Sequence, residues 1–575
     1  MLLYVFLRMV YLQWGAYHPS DSRWSVHTAV SILHQGNTDL NEYADLMKGG
    51  IEADYTLHKV GERIYTRYPV GASVLALPYV ALFDGYAQVL TGQGVDAYLR
   101  EYGAGHLERL IASSLTALGM AFLYLLLRRR LVWWAALGLS LAYGLGTSAW
   151  STGALALWQH TPTLLLLTLT LWLLDLACER PALVQFAGLT LALSFVCRPT
   201  TAIVILLVTA YVAWRQRPYL WRYLAWAAPV AAAFVAYSMA TYGRPLPPYY
   251  LMQGIGTTAN LWEGLAGTLI SPNRGLFIWT PMVLVAFYGL YLRVSGRSFR
   301  WLDGLLWVSI ALHWLLISGW SMWWGGHSLG PRFFTEMLPF YAYLTVPVLQ
   351  HLPGQRAWGR AATGALLLGS ALFGLAVQYH VVADEGPARW NAQPTNVDIA
   401  PSRLWNWRDL QFLRHGDDVP EPMDGVRISR TPWFEFDTSV PGKGWSDPER
   451  DPFGQTYTWM DKKRSTLYID VGRPSDLDIG IRVLNWLDDG TLASLELTLD
   501  DQPIALHRSW DEQGAALFGG RVPADAFAPR RRYHVLAFRV DRVLSPAVKD
   551  PQSTDPRKLA LALDWIKLLP VDARP

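Results

Sequence analysis

About eleven apolar segments separated by short basic runs constrain this chain before any single residue does. They fall near Met1–Tyr17, Leu110–Leu127, Leu131–Trp150, Thr161–Leu176, Leu183–Val196, Thr201–Ala213, Tyr223–Tyr242, Leu276–Leu292, Leu305–Ser318, Met337–Leu349 and Ala362–Val377. A helix crossing a bilayer needs roughly 20 mainly apolar residues. The series therefore predicts an α-helical polytopic membrane protein with about eleven transmembrane helices. Hydrophobic residues make up 52% of the 575 positions and charged residues only 17%, a balance foreign to an ordinary soluble enzyme. Met1–Tyr17 has no basic n-region and no small-residue cleavage site before Asp21, so it reads as a first span and not a removed signal. Arg8 in its middle leaves three placements open: it snorkels, it faces the bundle, or the chain starts upstream. Cys178 and Cys197 lie in or beside spans and define no disulfide framework.

Charge sets the expected orientation. Arg128-Arg129-Arg130, Arg180, the Arg215–Arg222 and Arg293–Arg300 groups, and Arg356 with Arg360 all fall on one side, which the positive-inside rule makes the cytoplasm. The expectation is a cytoplasmic (inner) membrane protein with its N-terminus inside and its C-terminal part outside. Three regions result: spans over 1–381 with a first external loop at 18–109, an interfacial linker at 382–432, and an extracytoplasmic domain at 433–575. Within the first loop, Ala72–Phe83 is short and interrupted by Pro78, which suggests an interfacial or re-entrant helix. Trp405-Asn-Trp407-Arg408-Asp-Leu-Gln-Phe412 reads as an aromatic anchor at headgroup level. Short strands are expected at Ser465–Val471, Leu477–Val483, Ala493–Leu499, His534–Val540 and Leu559–Leu568. Turn signals at Asp488-Asp-Gly490 and Asp500-Asp-Gln502 separate them, giving an all-β sandwich.

The strongest candidate for chemistry is Asp21, in His18-Pro-Ser-Asp21-Ser-Arg23-Trp24, where the first span leaves the hydrocarbon. An acid there is costly unless it is paired or at work. The other outer-side polar residues are His160, Arg198, Arg274, His327 and Arg332, each near the outer end of a span. Guanidinium groups bind phosphate oxygens in pairs, so their convergence beside a carboxylate would make a phosphate site next to a proton acceptor. Trp320, Trp323 and Trp324 would suit a sugar face or a lipid tail, although interfacial Trp and Arg are also ordinary membrane anchors. His160 and His327 could equally be hydrogen-bonded helix ends. The glycines at 325, 326 and 330 serve either a turn or close approach to a ligand. Asp39, Glu42 and Asp45 could join Asp21 around a divalent cation, against the plainer reading of solvated loop acids. Gly-rich phosphate loops with Lys-Ser/Thr, GxSxG, HExxH and CxxC are all missing from the sequence.

These residues resemble a known family. Asp21 after the first span, Gly36-Asn-Thr-Asp-Leu-Asn-Glu-Tyr43, Tyr65-Thr-Arg-Tyr68-Pro-Val-Gly71 through Ala76-Leu-Pro78, Gly146-Thr147 followed by His160, Arg198-Pro199, Ser271-Pro-Asn-Arg274-Gly-Leu-Phe277 and Trp324-Gly-Gly-His327-Ser-Leu-Gly-Pro-Arg332 leading to Leu338-Pro339 are similar in order and sidedness to GT-C superfamily glycosyltransferases. The likeness is to bacterial members related to the protein mannosyltransferases and the lipid A aminoarabinose transferases, and it covers the first two thirds of the chain. It implies transfer of a sugar from a polyprenyl-phosphate donor to an extracytoplasmic glycan, lipid or protein, with no nucleic acid involved. Asp21 would be the catalytic base, with Arg198, Arg274, Arg332, His160, His327, Trp324 and Tyr68 binding substrate. The mannosyltransferases carry Asp-Glu where this chain reads Asp21-Ser22. The tail, with Gly444-Trp445, Trp459 and Leu544-Ser-Pro546, resembles a galactose-binding jelly-roll, which implies either a sugar-facing accessory domain or a structural lid.

Sugar phosphate leaves readily once its charge is neutralised, and a carboxylate can deprotonate the attacking hydroxyl. A single carboxylate favours direct displacement with inversion, since retention wants a second one at close range. Two other classes remain: a transporter or flippase of lipid-linked sugars, and a non-catalytic glycan-binding envelope scaffold. The first would ordinarily show inverted repeats, and the second gives Arg198 no task.

Overall fold

The computed structural model describes residues 1–13, 21–47, 54–251, 260–394, 396–398, 400–416, 426–427, 433–437, 440, 442–446, 448–451, 454–471, 475–527, 534–549, 553, 555 and 557–571. They form two compact units, Met1–Ala388 with Leu404–Gly416, and Arg389–Arg403 with Asp417–Pro575.

The first unit is helical. Among the described residues, six helices are long and apolar enough to cross a membrane: Gly71–Thr91, Gly105–Arg128, His160–Ala177, Arg217–Tyr242, Trp301–Ser318 and Ala357–Ala383. Shorter apolar helices run over Leu2–Gln13, Trp133–Leu145, Pro181–Cys197, Pro199–Arg215 and Pro281–Ser295. Three expected segments are corrected. Leu131–Trp150 ends as a helix at Leu145 and continues as a π-helical turn over Ala149–Ala154. Leu276–Leu292 is broken after Thr280, because Pro281 has no N–H to continue the ladder, and resumes as Leu284–Ser295. The helix expected to be short around Pro78 instead runs unbroken through that proline from Gly71 to Thr91. It packs on the first-loop helix Ser25–Gln35, where Ala72, Ala76 and Val80 join Val26, Ala29 and Val30 in one buried cluster, and His34 Nε2 lies 3.2 Å from Asp84 Oδ2. Of the first segment, 14–17 lie outside the described residues, as do 18–20 of the stretch that leads to Asp21. Arg8 faces the bundle, donating from Nε to Ser114 Oγ at 3.1 Å.

Interhelical packing relies on close backbone approach. A Cβ on Gly188 would sit 2.1 Å from the Tyr223 carbonyl oxygen, and one on Gly289 would sit 2.1 Å from that of Leu344. Small residues at such crossings replace the hydrophobic drive that lipid cannot supply between helices. At one end of the bundle, the fully buried Asp175 accepts from Arg129 Nε at 2.8 Å, Arg130 Nη2 at 2.6 Å and Tyr343 Oη at 2.7 Å. At 1.5 Å per residue, that basic end lies about 22 Å along the helix from His160. The first loop adds an antiparallel hairpin, Leu57–Val60 with Arg63–Thr66, in which Leu57 faces Thr66.

The second unit is a β-sandwich. One sheet has the spatial order Gln502–Ile504, Glu496–Leu499, His534–Arg539, Arg464–Asp470, Val426–Arg427. The other runs Leu506–Trp510, Ala516–Val522, Leu477–Trp486, Leu561–Pro570, Thr456–Trp459, Glu449–Arg450, with Trp433–Glu435 also pairing to Leu561–Pro570. Alternate residues of Leu477–Trp486 point inward, so Leu477, Ile479, Ile481 and Val483 join Leu467, Ile469, Leu536 and Phe538 from the facing sheet in one core. Asp488-Asp-Gly490 begins a short helix, Asp489–Ala493, because the Asp488 carboxylate caps it by accepting from Thr491 N.

Gly289→Val is expected to lower the thermal midpoint in detergent by several degrees, with a cost of about 2 kcal/mol or more from overpacking against Leu344. Gly85→Ala, where a Cβ meets nothing, should leave it unchanged.

Candidate active site

Breaks in regular structure bring the polar residues together. The helix Ala187–Cys197 stops before Pro199, which disfavours helical geometry at the residue preceding it, so Arg198 is extended (φ −156°) and nearly buried. Its Nε donates to Thr200 Oγ1 at 3.0 Å and lies 2.6 Å from Glu336 Oε1, while Nη1 is 3.2 Å from His160 Nε2. His160 opens its helix, and its Nδ1 is 2.8 Å from Glu336 Oε2. His313 Nε2 donates to the Phe333 carbonyl at 2.7 Å and is 3.8 Å from Glu336 Oε1. Burial pushes the Glu336 carboxyl up, but Arg198 and His160 beside it outweigh that and hold it down at about 2, so it stays ionised.

Arg332 starts the same 3₁₀ turn, Arg332–Met337, that carries Glu336. The loop before it turns through glycines in the left-handed region at 325, 326 and 330. A Cβ on Gly325 would stand 2.9 Å from Arg332 Nε, so the missing side chain admits the guanidinium. Arg332 Nη1 donates to Asp21 Oδ2 at 3.0 Å, and its guanidinium lies over the Trp158 ring, 4.6 Å from the centroid. Tyr68 Oη donates to Asp21 Oδ1 at 2.8 Å. Burial, with the Asp21 carboxylate next to it, pushes the Tyr68 phenol up, which keeps it a neutral donor.

Tyr68 and Arg198 both line a cavity of about 460 Å³. Its walls are aromatic and apolar, with Tyr237, Tyr242, Tyr249, Trp320 and Phe333 among them. Asp21, Tyr68, Arg198, His160 and Arg332 are thus brought to one place, where a carboxylate, two guanidiniums and an apolar cavity adjoin. Such a set can neutralise an anionic group and accept a proton beside it.

Arg274 stands outside that set. Its buried guanidinium donates to the carbonyls of Trp324 at 3.0 Å, Asn273 at 2.7 Å and Gly326 at 3.2 Å, and to Gln411 Oε1. A fork spent on loop carbonyls organises the loop and offers no pair of N–H groups to phosphate. Trp324 is buried edge-on against Trp323, at 5.8 Å and 89°, and His327 is exposed on the same loop. Each of the acids that could join Asp21 around a divalent cation has a basic or hydroxyl partner of its own. Asp39 pairs with Arg63 at 3.1 Å, Glu42 accepts from Ser31 Oγ at 2.5 Å, and Asp45 pairs with Arg100 at 2.8 Å. Glu336 was not among the sequence candidates, although an acid inside the apolar run Phe333-Phe-Thr-Glu336-Met-Leu338 carries the same cost signal as Arg198.

No family model matches the sequence, and no curated protein matches it. Among solved structures, the chain is similar to the apo oligosaccharyltransferase of Archaeoglobus fulgidus, with 12% identity, TM-score 0.42, and coverage of 74% of this chain and 61% of that one. It is also similar to ArnT of Cupriavidus metallidurans bound to undecaprenyl phosphate, with 14% identity, TM-score 0.40, and coverage of 71% and 73%. For ArnT in the apo state the figures are 13%, 0.39, 92% and 99%. The present chain spans 61% of the oligosaccharyltransferase's length. Likeness at these TM-scores assigns no role to any residue, so function must be read from the side chains that meet at Asp21 and the cavity.

Glu336→Ala removes the charge that Arg198, His160 and His313 share. Breaking a buried ion pair from one side typically costs about 3–5 kcal/mol, so chemical denaturation should show a loss of that order, with a smaller loss in Glu336→Asp.

Proposed function

We propose that this protein is a membrane glycosyltransferase of the GT-C type, transferring a sugar from a polyprenyl-phosphate donor to an extracytoplasmic glycan, lipid or protein. The observation that carries the reading is the Asp21–Arg332 pair beside the aromatic cavity, with Arg198 on the cavity wall. The cavity takes the apolar part of the donor, and Arg332 and Arg198 meet its phosphate. The acceptor hydroxyl attacks the anomeric carbon as the sugar–phosphate bond breaks, and Asp21 takes the hydroxyl proton. The electron pair of the broken bond goes to the phosphate, where the two guanidiniums stabilise it. Displacement in one step inverts the anomeric carbon, since no second carboxylate adjoins Asp21 among the residues described at the site.

The two ends of the helix His160–Ala177 carry the orientation. His160 begins it at the site and Asp175 closes it among Arg129 and Arg130, so the basic end is cytoplasmic and the site faces outward in the cytoplasmic membrane. The sandwich unit, of galactose-binding jelly-roll type, acts as an extracytoplasmic accessory domain. Its exposed Trp510, 5.6 Å from Trp486, supplies an aromatic face suited to a sugar ring.

In proteoliposomes given a panel of polyprenyl-phosphate sugars, Asp21→Asn should lower transfer by roughly 10² to 10⁴-fold, the usual weight of a general base, with donor affinity retained. Full activity in that variant sinks the assignment of the base, and movement of labelled donor between leaflets without glycosylated product replaces transfer by transport. Arg332→Ala should raise the donor Kd as well as slow transfer.

A further inference from the structure

The last long helix, Ala357–Ala383, carries His380 one turn before Asp384, which closes it. The strap over 404–416 returns past this end and brings His415 alongside. One donor atom of each of His380, Asp384 and His415 lies within 4.8 Å of those of the other two, and the imidazole rings are 4.2 Å apart. This group lies apart from Asp21 and from the cavity, and the transfer chemistry proposed above does not use it.

The surroundings hold these side chains as a ligand set would need to be held. His380 Nε2 is 3.0 Å from the Arg414 carbonyl, which can only accept, so Nε2 carries the proton and the lone pair is on Nδ1. His415 Nδ1 is 3.3 Å from Asp384 Oδ2. The other carboxylate oxygen, Oδ1, accepts from Gly386 N at 2.7 Å and Gly416 N at 2.9 Å. Metal-bound imidazoles are usually oriented as His380 is, by a carbonyl on the second nitrogen, and His415 Nδ1 and Asp384 Oδ2 face each other as two ligands of one ion would. The strap is pressed onto the turn by a separate device: a Cβ on Gly386 would come within 2.7 Å of three backbone atoms, Arg414 O, Gly416 N and His415 C. Two imidazoles and a carboxylate suit a borderline divalent ion, above all zinc, whose remaining position water can fill because His415 is 68% exposed.

We propose that His380, Asp384 and His415 bind one zinc ion that clasps the 404–416 strap to the end of the last helix. The consequence lies four residues upstream of His415. Gln411 accepts from Arg274 and from Gly330 N, and donates to the Ser328 carbonyl at 2.8 Å and the Pro387 carbonyl at 2.9 Å. Zinc fixing His415 therefore also steadies the glycine loop that delivers Arg332.

The test uses the full chain purified in detergent, stripped with a chelator and titrated with zinc chloride by calorimetry, with folding followed by circular dichroism. The wild type should bind one equivalent and gain thermal stability. His415→Ala, at an exposed position that tolerates truncation, and Asp384→Asn should each weaken binding by about tenfold or more and lose the thermal gain. Failure of the wild type to bind zinc overturns the proposal, as does equal binding in a folded His415→Ala, which would assign the ion to others of the 13 histidines. Zinc affinity is read without any sugar transfer, so this result and that for Asp21→Asn stand or fall separately.

Discussion

Glu336 is the buried charge on which the site's geometry depends. Three chain segments distant in sequence reach it: the start of one long helix through His160, the gap between two helices through Arg198, and the interior of another helix through His313. An ionised carboxylate away from water is tolerated only when its partners are fixed around it. The requirement therefore runs both ways, and Glu336 sets where Arg198 can be. Phe333, three residues earlier on the same turn, lies 5.5 Å from the Arg198 guanidinium and 5.3 Å from that of Arg332. Two cations that would repel each other are held near one aromatic ring, with a carboxylate behind one and another carboxylate in front of the other.

That arrangement restrains Asp21, whose Oδ2 accepts from Arg332 and whose Oδ1 accepts from Tyr68. Under the transfer proposed above, a phosphate entering beside Arg332 would compete for the guanidinium and loosen its hold on Asp21, so that donor binding would precede proton abstraction. Tyr68, kept neutral by its surroundings, remains as the donor that orients the carboxylate. Arg198 has no comparable freedom. Its charge is already matched by Glu336.

What the sequence made legible was governed by cost. Apolar length and basic runs disclosed a helical membrane unit, and two-residue alternation disclosed the sandwich, because each pattern records a solvent the chain must face. Asp21 and Arg198 stood out as charges with no cheap reason to be where they are, and the structure brings both to one site. Segment boundaries were poorly legible: at Pro281 the helix breaks, while at Pro78 it continues, so the same residue type gives opposite outcomes. Glu336 carries the same cost as Arg198 but has no visible partner within its own segment, so its role is hidden until the chain folds. The separate pairings of Asp39, Glu42 and Asp45 were equally hidden, since Arg63 and Arg100 reach them only after the first loop has folded.

Arg274 shows most clearly why a residue type at a plausible position does not establish a role. By sequence it is equivalent to Arg198 and Arg332: an arginine in a short motif at the outer end of a span. In the folded chain, the Arg332 fork is matched by the Asp21 side chain. Arg274 instead donates to main-chain carbonyls and to Gln411. Its guanidinium satisfies the buried carbonyls of Trp324 and Gly326. The glycine loop then has one geometry, and Arg332 at its end points toward Asp21. Arg274 thus acts on the site as the fixed centre of the loop that aims the neighbouring arginine.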